Sequence, residues 1–437
     1  MKNKGKKLLM LLCFIVLLVA GCGQAKAPPE IVPTQKFASD EFTDAGMCQY
    51  CHLEIYQQWA GSMHALSFTD SLYLSQASQV SERSNGESDV FCAGCHTPVG
   101  MLAEEVPPAG GSSLSAVARQ GVSCDFCHVI TAADSAADPF FRVTPGKTKY
   151  GPFADPIHTP LHESEYLELY TKSEYCGMCH DIEHPEHNLI LGATYSEWKA
   201  STYASKKIQC QDCHMTPGPG VTKPNPGVAA TGAPKMRDHT WTHTMSGANI
   251  FAHQQAGFSD HAQQAEENLK SAATLFLGLP ESLSPYQSAR INVRIRNSGA
   301  GHYLPTGLTM FTEMWLEVVL TDSQGRVVYQ SGVMDENGSI PSESTLYKTR
   351  LQDAAGKETT DLWAAVSVLS DRRIPPQGYV DEYFDIPGMP LPDILQVKAR
   401  LLYRSISQTE ANRLPGVNGS RAPVVEMAVI TGSIPVK

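Results

Sequence analysis

The chain has 437 residues and a formal net charge of -11 at neutral pH. That is enough length for two or three domains and the wrong sign of charge for a nucleic-acid partner, which requires clustered Lys and Arg. An acidic surface suits solubility and pairing with basic partners or cationic metals.

The N-terminus opens on Lys2, Lys4, Lys6 and Lys7, followed by an apolar run from Leu8 to Ala20. The run is too short for a comfortable membrane span and has the form of a secretory signal. It ends in Leu18-Val19-Ala20-Gly21-Cys22, which resembles the lipobox of bacterial lipoproteins. Residues 1–22 therefore predict a lipoprotein signal peptide, with lipidation at Cys22 and Cys13 lost with the leader. Buried acyl methylenes contribute about 0.8 kcal/mol each, so several chains hold a protein firmly at a membrane. Residues 23–43, rich in Ala, Pro and Gln, predict a tether.

Ten of the 12 cysteines then fall in five copies of one pattern, Cys-x-x-Cys-His. They are Cys48-Cys51-His52, Cys92-Cys95-His96, Cys124-Cys127-His128, Cys176-Cys179-His180 and Cys210-Cys213-His214. Two thiols three residues apart face one side of a helical turn and can form thioethers to the two vinyl groups on one haem edge. The adjacent His reaches beneath the ring as proximal iron ligand. Zinc sites and disulfide frameworks also use paired cysteines, but neither requires His after every second one. The pattern predicts five covalently bound haem c groups. Such attachment takes place outside the bacterial cytoplasm, consistent with the leader.

The first cysteines of successive motifs are 44, 32, 52 and 34 residues apart, so no solenoid period exists. Residues 44–258 are rich in Gly, Pro and Ser, and short helices with much irregular backbone are expected there. The porphyrins would supply the apolar surface that side chains do not. Ser75 to Asp89, Pro107 to Ser113 and Thr216 to Ala233 predict surface loops. Trp59 to Ala65 and Trp198 to Ala204 share W-x-x-S-x-[HY]-A, with Tyr203 where the first copy has His64.

His261 to Leu279 has helical spacing, with Ala265, Leu269, Ala272, Ala273 and Phe276 on one face and Pro280 at its end. Residues 259–281 thus predict a connecting helix. Beyond it Arg290 to Arg296 alternates strictly, and further strands are expected at Trp315 to Leu320, Arg326 to Gln330, Ala364 to Leu369, Tyr379 to Phe384, Leu395 to Tyr403 and Val424 to Thr431. About seven strands separated by turns predict an all-β sandwich over residues 282–437. The predicted fold class is multidomain: an N-terminal, mostly irregular and helical multihaem cytochrome c domain, then this sandwich.

The second axial position of each iron decides between electron exchange and chemistry. Ten His lie outside the motifs: His64, His158, His162, His184, His187, His239, His243, His253, His261 and His302. The surplus predicts two His on every iron. His64 follows the first motif on an expected helix. His302 sits in Gly299 to Gly307, where glycines permit close approach of a flat group. His239 and His243 would share a face if a helix forms, and His158 and His162 flank Pro160 in an expected turn. His184 completes the distal candidates. Tyr203, Lys206 and Lys207 are the residues that could serve an anion at an open iron.

These motifs, with the Trp59–Ala65 segment, Ser196-Glu197-Trp198 before the last motif, His243 to Asn249 and the Gly-His302-x-x-Pro-Thr-Gly loop, resemble multihaem c-type cytochromes of the cytochrome c554-like group. That group is distantly related to the hydroxylamine oxidoreductase assembly, and the resemblance spans roughly residues 45 to 310. It implies that His64 and His243 are distal ligands. Tyr203 departs from the pattern and cannot supply an imidazole. Together with the lipobox and the sandwich, it implies a lipid-anchored cytochrome at the periplasmic or outer-membrane side of the envelope. Such a protein passes respiratory electrons to other redox proteins, multihaem cytochromes among them. It implies an electron carrier rather than an enzyme. The alternative is a haem enzyme acting on a small nitrogen or sulfur compound at one open site, as some relatives are.

Overall fold

In the haem-motif region each attachment sequence sits on a single helical turn. The amide N–H groups of His52, His180 and His214 donate to the carbonyls of Cys48, Cys176 and Cys210 at 2.9, 3.0 and 3.0 Å, which brings each pair of thiols to one side. The structure is a computed structural model and describes residues 36–133, 140–221, 223–232, 234–388, 390, 394–414 and 421–437. The leader, Cys22 and the tether up to residue 35 lie outside the described residues.

Residues 36–43 are not tether-like. Phe42 is buried, with Phe37 packed against the same apolar cluster, and the Phe37 N–H donates to Leu102 O at 3.2 Å. Ser75 to Asp89, expected as a loop, is helical: Ser71–Ser84 and Ser88–His96 are two helices. Polar composition misled here, because no Gly or Pro interrupts the segment before Gly86. Asp70 caps the first helix by accepting from Tyr73 N–H at 3.1 Å, Ala77, Val80 and Ser84 form a buried stripe, and Asn85 ends it at φ 52. The region also has an apolar core built from its own side chains, including Phe42, Phe68, Val99, Leu114, Phe126 and Ile130.

The connecting helix is shorter than predicted. Ser259–Ala272 is helical, with Ala262, Ala265, Leu269 and Ala272 buried. At Ala273 the burial period changes from helical to alternating, and Ala273–Gly278 becomes a strand paired antiparallel with Ala289–Asn297. Phe276, expected on the helix's apolar face, is instead 46% exposed on that strand.

The C-terminal part is β-rich. One sheet has the order Tyr379–Ile386, Ala289–Asn297, Ala273–Gly278. A second has the order Val327–Ser331, Glu313–Thr321, Ile394–Arg404, Val425–Pro435. A third joins Glu358–Thr359, Thr349–Asp353 and Ala365–Asp371. Ile291, Val293 and Ile295 on the first sheet and Val318, Val397 and Leu401 on the second share one core. A fully buried aliphatic side chain contributes about 1.5–3 kcal/mol, and a one-residue slip would turn all three residues of Ala289–Asn297 to solvent. That fixes the register, and with it the loop that follows the strand. From Thr34 to Lys437 the chain forms one compact unit. No helix among the described residues is long and apolar enough to cross a membrane.

Candidate functional site

Four of the five motif imidazoles face a second imidazole. His52 faces His162 at 6.4 Å between ring centres, His128 faces His243 at 6.4 Å, His180 faces His64 at 6.2 Å, and His214 faces His302 at 6.2 Å. Two imidazoles sharing one metal stand about 6 Å apart, from two metal–nitrogen bonds of about 2.0–2.1 Å and the ring radii. The spacings therefore fit one iron between each pair.

Hydrogen bonding selects the nitrogen left for the metal. Nδ1 of His52, His128 and His214 donates to the carbonyls of Ala229, Tyr150 and Ser246 at 2.7, 2.7 and 2.8 Å. Nδ1 of His162, His243 and His302 donates to Glu163, Trp241 and Tyr303 carbonyls at 3.0, 3.1 and 2.8 Å. A carbonyl only accepts, so the proton lies on Nδ1 and the Nε2 lone pair is free. His64 Nδ1 contacts Met245 Sδ instead. Burial pushes His64 down to about 4, His243 to about 3 and His302 to about 4, and it lowers His96, His128 and His180 as well. The buried imidazoles are thus neutral near pH 7, which is the form that binds a metal.

His96 differs. Its Nδ1 donates to Ser67 O at 2.7 Å, but its ring carries the face of Tyr73 at 3.8 Å with planes 6° apart. The fifteen His of the chain all lie in described residues, and no second imidazole ring contact is found at His96. Two His per iron was the expectation from the surplus, and the surplus is spent elsewhere. His158 pairs with Glu163 at the surface, 2.8 Å. His184 donates from Nε2 to Trp363 O at 3.2 Å, accepts from Glu186 N–H and stacks on His187. His239 accepts from Asn225 N–H at 3.0 Å and meets Trp241 edge-on. His253 and His261 contact each other, and His261 Nε2 donates to Gln58 O at 2.7 Å. So His158, His184 and His239, distal candidates from sequence, do not face a motif His. No helix forms across His239 and His243, because Thr240 and Thr242 N–H groups bond Asn225 and Met215 carbonyls. His64 lies in a turn after the helix Leu53–Ala60, not on it.

The two W-x-x-S copies serve the same local purpose. Trp59 Nε1 donates to Val122 O at 2.9 Å and Trp198 Nε1 to Ile208 O at 2.8 Å. Each pins a buried indole beside a helix end. Sequence reasoning missed Tyr73, Met245 and Gln58, whose Oε1 accepts from His243 N–H at 2.8 Å. Only the fold brings them to their partners.

The attachment cysteines are not ordered as in the chain. Cys48 lies beside Cys124, Cys95 beside Cys179 and Cys176 beside Cys210. Cys127 lies close to Cys176 and Cys179. The first motif therefore adjoins the third, the third the fourth and the fourth the fifth, while the second branches from the fourth.

Residues 47–129 match the family model described as cytochrome c554 and c-prime. No curated protein matches the chain. Among solved structures, a penta-heme cytochrome c552 from Thermochromatium tepidum aligns with a TM-score of 0.63 at 19% identity, over 90% of this chain and 99% of that one. The CARDB domain of the PF1109 protein from Pyrococcus furiosus (TM-score 0.17, 13% identity, 38% of this chain and 87% of that one) and a superoxide reductase from Ignicoccus hospitalis (0.16, 12%, 41% and 92%) are also similar. Those scores carry no argument. The family match and the first structure support a multihaem c-type cytochrome of the cytochrome c554-like group.

Proposed function

We propose that this chain carries five covalently attached haem c groups and relays electrons among them in the bacterial envelope. When bound, each haem supplies one-electron exchange at its iron. The observation that carries the reading is the four facing imidazole pairs at 6.2–6.4 Å, because two strong ligands leave no iron position for a substrate. The proposed attachment residues are the ten motif cysteines. The proposed axial ligands are His52 with His162, His128 with His243, His180 with His64 and His214 with His302, and His96 on its proximal side. The adjacent thiols support close spacing of the groups, and the penta-heme neighbour supports their number.

The proposed domains are a haem domain over residues 44–258, a connecting helix Ser259–Ala272 and a β-sandwich that begins with the strand Ala273–Gly278 rather than at residue 282 and runs to residue 437. The sandwich supplies His302 to the haem domain. Cys22 is the proposed lipid anchor, and other redox proteins, multihaem cytochromes included, are the proposed partners. A reductive titration followed optically tests the relay. Five one-electron components with low-spin spectra at four of them are expected, and fewer than five would overturn it.

His96 favours a second reading, in which one site acts on a small nitrogen or sulfur compound. No imidazole faces it, and Tyr73 covers the face of its ring. Turnover assays with nitrite, hydroxylamine and tetrathionate test this, and absence of turnover with all three removes it.

A further inference from the structure

Resting on the assignment of His302 as a distal ligand, we infer that Glu197 is the positioning residue of that ligand and that its buried charge holds down the potential of the haem attached at Cys210 and Cys213. Glu197 lies on the helix Thr194–Lys199, and its side chain is 5% exposed. Its Oε2 accepts from Tyr303 N–H at 3.0 Å and from Thr306 Oγ1 at 2.6 Å. Its Oε1 accepts from the Arg373 guanidinium. The carbonyl of the same Tyr303 accepts from His302 Nδ1 at 2.8 Å. Carboxylate, tyrosine peptide and imidazole thus stand in series, and the orientation of His302 is set through one residue. Metal-ligating imidazoles take their orientation and basicity from such partners.

The rest of the loop is held from its other side. Asn297, fully buried, donates from Nδ2 to His302 O at 2.8 Å and to Ile374 O at 3.1 Å. Gly301 backs onto Tyr203 and Trp198, leaving little room for a side chain. Arg373 also pairs with Asp371 at 2.8 Å and lies over the Tyr303 ring. Burying a carboxylate is costly unless donors surround it, and Glu197 has three. The negative charge favours the ferric over the ferrous state at the neighbouring iron. Removing it should therefore raise that potential. A contact that only docked the loop would leave the potential unmoved.

The test uses the full-length, haem-loaded protein with H302A, E197Q and E197A. His302→Ala comes first: one haem should pass from low-spin to high-spin, identifying its component in the redox titration. If no haem changes, the ligand assignment fails, whatever Glu197 does. Glu197→Gln keeps an acceptor for Tyr303 and Thr306 but drops the charge. It should retain the low-spin signal and move the same component upward by about ten-fold in electron occupancy, ~59 mV for a one-electron couple. Glu197→Ala removes the acceptor and should make that component partly high-spin. If His302→Ala behaves as expected while Glu197→Gln leaves all midpoints at their wild-type values, the inference is overturned, whether or not the alanine variant folds.

Discussion

His302 stands 6.2 Å from His214, with the two ring planes 20° apart. One belongs to the last attachment motif and the other to the loop behind the strand Ala289–Asn297. The β-rich part therefore places an imidazole against the last Cys-x-x-Cys-His motif rather than merely following it.

The facing pairs separate the proposed ligands from the other imidazoles. His243→Ala should convert one haem to high-spin and open it to carbon monoxide. His158→Ala, His184→Ala and His239→Ala should leave the visible and EPR spectra unchanged. A spectral change in any of the last three would mean that ring contacts misassign the ligands.

The His96 site makes a stoichiometric prediction. The reduced wild-type protein should bind carbon monoxide rapidly at one haem, because four irons would have both axial positions filled. No binding would mean that another side chain closes the site. Binding at two or more would break the pairing.

Acid sensitivity should reach beyond the ligands. His253 is buried, and burial, then the neighbouring His261, pushes it from 6.5 down to about 4. An unfolded chain takes up this proton near 6.5 and the folded one only near 4. Between those values the unfolded state binds more protons, so stability falls as pH drops through the window. His253→Phe should flatten the dependence of the urea midpoint between about pH 7 and about pH 5. An unchanged slope would show that His253 contributes nothing to it.

The shared core of the two larger sheets should be intolerant of truncation. Ile295 is fully buried, and Ile295→Ala should cost about 2–5 kcal/mol through lost transfer energy and a residual cavity. The denaturation midpoint reports it, with an unchanged slope against denaturant. Because this strand leads into the His302 loop, the variant should also lose low-spin signal at one haem before it unfolds globally.

The five Cys-x-x-Cys-His motifs were legible in the residues alone. Cys-x-x-Cys-His is local, its geometry is complete within one turn, and no distant contact is needed to make it. The alternation of Arg290 to Arg296 was legible for the same reason, since one strand carries its own period. Where expectations failed, the deciding partner was far away in the chain. Ser75 to Asp89 is polar enough to pass for a loop until the fold buries Ala77, Val80 and Ser84. Phe276 has helical spacing until Ala289–Asn297 offers a ladder. Distal ligation is the extreme case: the sequence offers seven candidate histidines, and only His64, His162, His243 and His302 among them face a motif imidazole, the last three with Nδ1 oriented by folded backbone carbonyls and His64 met by Met245. Sequence determines where the Cys-x-x-Cys-His motifs stand. Tertiary structure decides which imidazole looks back at each of them, because that requires two separately specified backbones to meet within a few ångströms.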